Sequence, residues 1–135
     1  MTTTGINLWA VLAAALANFL IGGMWYSPAL FGKIWMRANG FGEEDLRRGS
    51  PAVIFGVSFL FCIVMAANLA AFLAGPETTF SFAVAAAVAA GLGWAAMGLG
   101  VVALFERRPW SCLLVNGGYL VVSFAAMGAI LGAWR

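Results

Sequence analysis

The sequence predicts an all-α integral membrane protein, a four-helix bundle with one short amphipathic helix at the membrane interface. Apolar residues make up 64% of the 135 residues and charged residues only 9%, and the mean hydropathy is +0.98. A soluble domain has roughly 45–50% apolar and about 25% charged residues. The apolar residues form four long runs, and a helix needs about 20 of them to cross about 30 Å of hydrocarbon. Residues 1–135 are therefore expected to form a single transmembrane domain.

Four runs that contain no charged residue and no histidine define the expected spans. They cover about residues 5–26, 52–74, 80–105 and 111–133. Charged side chains are expensive in the centre of a bilayer, so their absence over these lengths is typical of helices that cross it.

The connection after the first span carries a helix pattern of its own. Ser27-Pro28 interrupts the first span, and proline fits the first turn of a new helix. Apolar side chains then recur at helical spacing: Leu30, Phe31, Ile34, Trp35 and Ala38. Lys33 and Arg37 are four residues apart on another face. This pattern predicts an amphipathic helix over about 28–39 that lies in the interface.

Basic residues indicate which connections face the cytoplasm. They fall in the first and third connections: Lys33, Arg37, Arg47, Arg48, Arg107 and Arg108. The positive-inside rule then places loops 27–51 and 106–110 in the cytoplasm and both termini outside it, in a multi-pass protein of the cell (inner) membrane. Only Arg135 opposes this orientation. Tryptophan and tyrosine favour the two interfaces, and Trp9 and Trp134 near the outer edge fit the same topology.

A few polar side chains lie inside the expected spans. At about 1.5 Å of rise per residue, Asn18 and Asn116 have similar depths in the cytoplasmic half and are expected to share a polar cluster with Tyr119. Such a cluster serves either as interhelical hydrogen bonding or as a ligand site, and the first is favoured. Trp94, in the middle of the third span, is interpreted as a packed core residue rather than a ligand-stacking one.

Small residues mark candidate helix contacts, because they let two backbones approach closely in lipid. The fourth span contains Gly128 and Gly132 in a GxxxG spacing. The third span contains Ala96 and Gly100, and Gly93 in line with two alanines, Ala85 and Ala89. Packing within the bundle is the default interpretation, and contact with another chain stays open.

Several classes of function are disfavoured by what the spans contain. Proton and ion pathways commonly use intramembrane charged residues or histidine, so a coupled pump is not expected. The chain has no histidine, the commonest metal ligand. Cys62 and Cys112 differ by roughly 15 Å in depth, too far for a disulfide. No cofactor, no metal and no nucleic-acid partner is predicted, and bound lipids stay open.

Three segments together resemble a known family. They are Gly-Gly-Met-Trp-Tyr-Ser-Pro-Ala-Leu-Phe-Gly-Lys-Ile-Trp-Met at 22–36, Leu-Phe-Glu-Arg-Arg-Pro at 104–109, and Asn-Gly-Gly-Tyr at 116–119 followed by Met-Gly-Ala-Ile-Leu at 127–131. This combination is similar to the family called domain of unknown function 1761, whose members are small four-span membrane proteins. The resemblance implies the same architecture and no established activity. The positions that match the family motifs are nominated as special: Trp25, Tyr26, Ser27, Pro28, Gly32, Lys33, Asn116 and Tyr119.

Three hypotheses for function follow. The first is a non-enzymatic structural or accessory subunit that packs within a larger membrane assembly, respiratory or photosynthetic, through other subunits or self-association. The second is a transporter or binding protein for a small molecule or lipid, with a site around Asn18, Asn116, Tyr119 and Trp94. The third is a membrane enzyme that acts on an anionic lipid headgroup through Lys33, Glu106 and the arginines.

Overall fold

A computed structural model describes residues 6–42, 44 and 49–134, and within them the chain is all-helical. The helices are α1 (Leu8–Trp25), α2 (Gly32–Asn39), α3 (Pro51–Phe72), α4 (Phe80–Phe105) and α5 (Trp110–Ala133). The four helices other than α2 are long and apolar enough to cross a membrane. The predicted fold class, a four-helix membrane bundle, is confirmed. Arg47, Arg48 and Arg135, on which the orientation partly depends, lie outside the described residues.

Local sequence explains where the long helices begin. Asn7, Ser50 and Thr79 each precede a helix, and each side-chain oxygen accepts a hydrogen bond from a backbone N–H of the first turn. These N–H groups have no partner within the helix, so a capping side chain satisfies them. Pro51 occupies the first turn of α3, where its missing N–H costs nothing. The helix ends lie within three residues of the predicted spans.

The short helix α2 begins later than predicted, at Gly32 rather than near residue 28. The intervening residues form a compact turn, in which the Phe31 N–H donates to the Trp25 carbonyl at 3.0 Å and the Gly32 N–H donates to the Ser27 carbonyl at 2.9 Å. Pro28 therefore sits in a turn instead of the first turn of a helix. Gly40 ends α2 in the left-handed conformation, with φ of 68°, which glycine adopts without steric cost.

Helices α1 and α5 form the centre of the bundle. Helix α3 packs mainly on α1, and α4 packs on α5. We call the end that holds α2 and the α4–α5 turn the α2 end, and the opposite end, which holds Asn7 and Trp134, the terminal end. Most of the buried core lies towards the terminal end, and it is rich in alanine: Ala10, Ala14, Ala15, Ala66, Ala70, Ala83 and Ala87. Small side chains allow the helix axes to come close.

The contact between α4 and α5 depends on the GxxxG spacing. A Cβ atom at Gly128 would lie 2.4 Å from the Cβ atom of Ala87, and one at Gly132 would lie 2.7 Å from that of Ala83. A Cβ atom at Gly91 on α4 would lie 2.7 Å from the Cβ atom of Phe124. Gly91 also begins a π-helical segment, Gly91–Ala96, within the long helix α4. Gly128 and Gly132 are thus internal contact positions.

Contrary to the default interpretation, not all of the small residues of α4 pack within the bundle. Ala96 is buried, and a Cβ atom at Gly117 would lie 3.6 Å from the Cβ atom of Ala96. Gly93, however, is exposed together with Ala85 and Ala89, and a Cβ atom at Gly93 or Gly100 would meet nothing within 4 Å. The packed stripe of α4 is the one that contains Ala83 and Ala87, because that stripe meets the glycines of α5.

The interpretation of Trp94 as a packed core residue is wrong. Its side chain is 70% exposed, and among the described aromatic rings it lies near that of Phe72, with ring centroids 6.1 Å apart. The α4 face that packs on α5 is filled by alanine and glycine at close approach. An indole cannot fit there, so it projects outwards.

Candidate functional site

Two pairs of hydrogen-bonded side chains join α1 to α5 in the half of the bundle nearer α2. In the deeper pair, the Tyr119 hydroxyl donates to Asn18 Oδ1 at 2.5 Å. Asn18 is fully buried, and its Nδ2 donates to Met65 Sδ of α3 at 3.6 Å. A buried amide needs such partners because lipid supplies none. The pair therefore ties three of the four spans together.

The second pair lies closer to the α2 end. The Tyr26 hydroxyl donates to Asn116 Oδ1 at 2.6 Å, and the ring of Tyr26 lies against that of Tyr119, with centroids 5.6 Å apart. A phenol is protonated at physiological pH, so the Tyr26 hydroxyl can donate this hydrogen bond.

The glycines between Asn116 and Tyr119 make room for this cluster. A Cβ atom at Gly118 would lie 2.9 Å from the indole ring of Trp25, whose Nε1 donates to the Val115 carbonyl at 2.8 Å. On the facing helix, a Cβ atom at Gly22 would lie 3.3 Å from the Tyr119 ring. The Asn-Gly-Gly-Tyr motif and the Gly-Gly-Met-Trp-Tyr motif are therefore two halves of one contact.

Helix α2 extends the polar contacts to the surface. Asn39, the last residue of α2, accepts a hydrogen bond from the Arg108 guanidinium and is fixed by donating its own Nδ2 to the Trp35 carbonyl at 2.9 Å. Arg108 Nε also lies 3.4 Å from Glu106 Oε1. The α4–α5 turn presents both charged residues, since Arg107 adopts a left-handed φ of 62° there and the chain reverses over few residues.

A groove of about 150 Å³ opens beside these contacts, between α4, α5 and the end of α2. Its polar lining comes from Asn39, Glu106, Arg108, Cys112 and Asn116. Its apolar lining comes from Ala96, Leu99, Gly100, Val102, Ala103 and Leu113. The groove therefore joins a charged mouth at the α2 end to an apolar channel along α4.

The described polar side chains that line the groove are hydrogen-bond donors and acceptors. Among the described residues, no three side chains of histidine, cysteine, aspartate or glutamate come together as a metal site. The thiols of Cys62 and Cys112 are free and buried. Deeper in the bundle, the fully buried Ser123 hydroxyl has no hydrogen-bond partner within the described part of the chain.

Comparison with known proteins supplies a family. The family profile described as Protein of unknown function (DUF1761) matches residues 9–132. The chain belongs to this family. No curated protein and no solved structure matches it significantly. The function of the DUF1761 family is unknown.

The structure brings together most of the residues that the DUF1761 resemblance and the span analysis nominated. Asn18, Trp25, Tyr26, Asn116 and Tyr119 form one cluster. Gly32 and Ser27 belong to the adjoining turn, where the Ser27 hydroxyl donates to the Met24 carbonyl at 2.6 Å. Pro28, Lys33 and Trp94 are exposed, and none of the three lines the groove.

Sequence reasoning missed four residues that the structure connects to the cluster: Met65, Asn39, Arg108 and Cys112. From the sequence, Arg108 is predicted to lie in a cytoplasmic connection and belongs with the other arginines to the lipid-headgroup enzyme hypothesis, and the amphipathic helix is predicted to end at Asn39. The Asn-Gly pair at 39–40 is the one sequence feature that indicates such a contact. The side-chain amide of an asparagine at a helix C-terminus can reach a neighbouring element. Which arginine it would meet depends on the packing of α2.

A double-mutant cycle on Asn18 and Tyr119 tests the deeper pair. Tyr119→Phe leaves the buried Asn18 oxygen without its donor, and we expect the free energy of unfolding to fall by about 1 kcal/mol. Asn18→Leu combined with Tyr119→Phe should cost less than the sum of the two single changes, by about 0.6 kcal/mol or more. The measurement is SDS titration of the protein in mixed micelles.

Asn68→Ala is the matched control for this cycle. Asn68 is an exposed amide of α3 whose Nδ2 donates to the Val64 carbonyl of its own helix at 2.9 Å. Its effect should add to that of Tyr119→Phe within about 0.5 kcal/mol, as is usual for separate sites. Simple additivity for Asn18 and Tyr119 as well would contradict the coupling.

Proposed function

We propose that this protein is a non-enzymatic structural or accessory subunit that packs within a larger membrane assembly, respiratory or photosynthetic in kind. The observation that carries the proposal is the position of Trp94 on the outward face of α4. At 1.5 Å per residue, Trp94 lies about 21 Å from the start of α4 and about 17 Å from its end. Its indole N–H has no acceptor among the described residues, and lipid at this depth offers none.

The surface next to Trp94 suits a second helix. Ala85, Ala89 and Gly93 form an exposed stripe of small residues on α4, and nothing lies within 4 Å of a Cβ position at Gly93. Apolar exposure alone says little in a membrane, because lipid tails cover it. A stripe of small residues lets another backbone approach closely, and a carbonyl or polar side chain of that partner would accept the indole hydrogen bond. Another subunit and a second copy of this chain both fit these requirements.

The orientation proposed for this subunit places the α2 end in the cytoplasm and both termini outside, in the inner membrane. Lys33, Arg37, Arg107 and Arg108 support it, because all four belong to connections at the α2 end. The α3–α4 connection at the opposite end, residues 73–79, contains no basic residue. The positive-inside rule favours the basic end on the cytoplasmic side.

Purification from native membranes in a mild detergent, with mass spectrometry of the chains that accompany the protein, tests the subunit proposal. We expect a partner chain or a stable homo-oligomer, and we expect Gly93→Leu to release it because the leucine fills the stripe. Trp94→Phe keeps the ring, loses the N–H and should weaken the association. Migration of the unaltered protein as a lone monomer would overturn the proposal.

Gly56→Leu provides the control for this experiment. Gly56 is an exposed position of α3, another helix, and it too has nothing within 4 Å of its Cβ position. The same substitution there should leave the partner bound. Equal release by Gly56→Leu and Gly93→Leu would show that added bulk on any helix disturbs the assembly, and the α4 face would lose its role.

A second candidate function, binding of a small molecule or lipid at the α2 end, is favoured by the groove itself. The site expected from the sequence includes Trp94, but its side chain is exposed on α4 and does not line the groove. The groove replaces it with Asn39, Glu106 and Arg108, which line the mouth together with Asn116. Transport is not part of this proposal, since the groove follows only one half of α4.

A further inference from the structure

From the groove at the α2 end we infer that the chain binds one phospholipid with an amine-bearing zwitterionic headgroup, of the phosphatidylethanolamine class, its phosphate held by Arg108 and its ammonium by Glu106. This inference gives a ligand class to the second candidate function and rests on that groove. It is independent of the partner face on α4.

The groove is too small for a whole ligand of drug size. Pockets for such ligands usually measure about 300–1,000 Å³, and this one measures about 150 Å³. It is also open along its side, where Leu99 and Val102 are 40% and 53% exposed. A ligand that seats one part here and leaves the rest in the bilayer fits this shape. A phospholipid does so, with its headgroup at the mouth and one acyl chain beginning along α4.

Small residues form the floor of the apolar part. Ala96, Gly100 and Ala103 follow one side of α4 over about 10 Å of helix, and a Cβ atom at Gly100 would meet nothing within 4 Å. The space above them is bounded by Leu99, Val102 and Leu113. An acyl chain can therefore lie against α4 without displacing any side chain.

The charged mouth retains hydrogen-bonding capacity. A guanidinium has five N–H donors and a carboxylate has about four acceptor positions. Within the described part of the chain, Arg108 uses one donor group on Asn39 and approaches Glu106 with another, and its other donors can bind a phosphate. The two side chains are 40% and 55% exposed. An ion pair this exposed contributes little on its own, so a ligand can separate its members at small cost.

The balance of charge at the mouth selects the headgroup. Among the residues that the structure describes, one guanidinium and one carboxylate line the groove, and Arg107 does not, so the charges of this described lining balance. A ligand with net negative charge would gain from Arg108 but be repelled by Glu106. A phosphate next to an ammonium complements both charges, and a primary ammonium can also donate hydrogen bonds to the carboxylate.

Lipid titration of the full chain tests the inference. The protein is purified in a non-ionic detergent, stripped of lipid, and titrated with phosphatidylethanolamine, phosphatidylcholine, phosphatidylglycerol or inorganic phosphate, and the bound species is counted by native mass spectrometry. We expect one phosphatidylethanolamine per chain, with a Kd about tenfold or more below those of the other two lipids. Inorganic phosphate should not compete, because it lacks the acyl chain.

Charge variants separate specific recognition from general attraction. Arg108→Gln should weaken phosphatidylethanolamine binding about tenfold or more, whereas Arg107→Gln removes the same charge one residue away, outside the groove, and should leave the Kd unchanged. Glu106→Gln should abolish the preference for phosphatidylethanolamine over phosphatidylglycerol. Equal losses from the two arginine variants, or unchanged preference in Glu106→Gln, would overturn the proposed roles.

A substitution that fills the groove tests the inference without changing a charged residue or a contact of α2. Gly100→Leu should abolish retention of every phospholipid, and Gly98→Leu, on an exposed part of α4 that does not line the groove, should not. Tight phosphatidylethanolamine binding by Gly100→Leu would place the lipid elsewhere and overturn the inference. If the wild-type chain instead binds a different small molecule in the groove, the second candidate function survives and the lipid assignment fails.

Discussion

Gly128→Ala is expected to lower the free energy of unfolding by about 3 kcal/mol, at the upper end of the usual cost of overpacking. The added Cβ atom would lie 2.4 Å from the Cβ atom of Ala87 and 2.9 Å from the backbone oxygen of Ala83. Neither atom can rotate away, since both are fixed to the α4 backbone. The helices must separate along the contact that also includes Gly132, so the loss of packing energy extends beyond one residue.

Two further variants identify the cause of that loss. Gly98→Ala adds the same methyl group to a transmembrane glycine with nothing within 4 Å, and it should change the free energy of unfolding by no more than about 0.5 kcal/mol. Ala87→Gly combined with Gly128→Ala removes the nearest clash and should recover part of the stability, while the Ala83 oxygen prevents full recovery. SDS titration in mixed micelles measures all three proteins. Equal stability of Gly128→Ala and wild type would mean that α4 and α5 do not pack at this distance.

Composition and run length were sufficient to predict the bundle, because the bilayer imposes strict limits on length and charge. Composition and run length do not show, however, which faces of the helices pack together. The third span has small residues on more than one face, with Ala83 and Ala87 on one and Ala85, Ala89 and Gly93 on another. Nothing in the spacing decides which stripe meets the glycines of α5. The prediction for Trp94 failed for the same reason, since its side depends on which stripe of α4 is buried.

The polar cluster could be predicted in part from depth. Asn18, Asn116 and Tyr119 lie at similar depths in their helices. Polar side chains within a membrane tend to form hydrogen bonds with one another across helices. Depth does not reveal pairing, however, and the structure pairs Asn18 with Tyr119 and Asn116 with Tyr26. The contacts of Asn39 with Arg108 and Cys112 could not be predicted from the sequence, because they depend on how α2 packs against α5. That position is fixed by the turn between α1 and α2, and Gly32 is its tightest point.

Gly32→Ala is expected to displace α2 and to expose Cys112. A Cβ atom at Gly32 would lie 2.3 Å from the Tyr26 carbonyl oxygen and 2.7 Å from the Ser27 carbonyl carbon, so the backbone of the turn has to open. Cys112 is only 3% exposed in the intact protein, and its Sγ lies 3.9 Å from Asn39 Oδ1. A loss of about 2 kcal/mol in the docking of α2 should raise the rate of Cys112 labelling by about thirtyfold.

A water-soluble maleimide measures this exposure in a Cys62→Ala background, where Cys112 is the only thiol, because the chain has two cysteines. Gly23→Ala is the matched control, since Gly23 is an exposed glycine near the same end of α1 with nothing within 4 Å of its Cβ position. It should label at the wild-type rate. SDS titration separates local opening from global unfolding, because displacement of α2 leaves the α1–α5 and α4–α5 contacts in place. Unchanged labelling in Gly32→Ala would show that the turn does not hold α2 against α5, and the groove would then have to be formed without it.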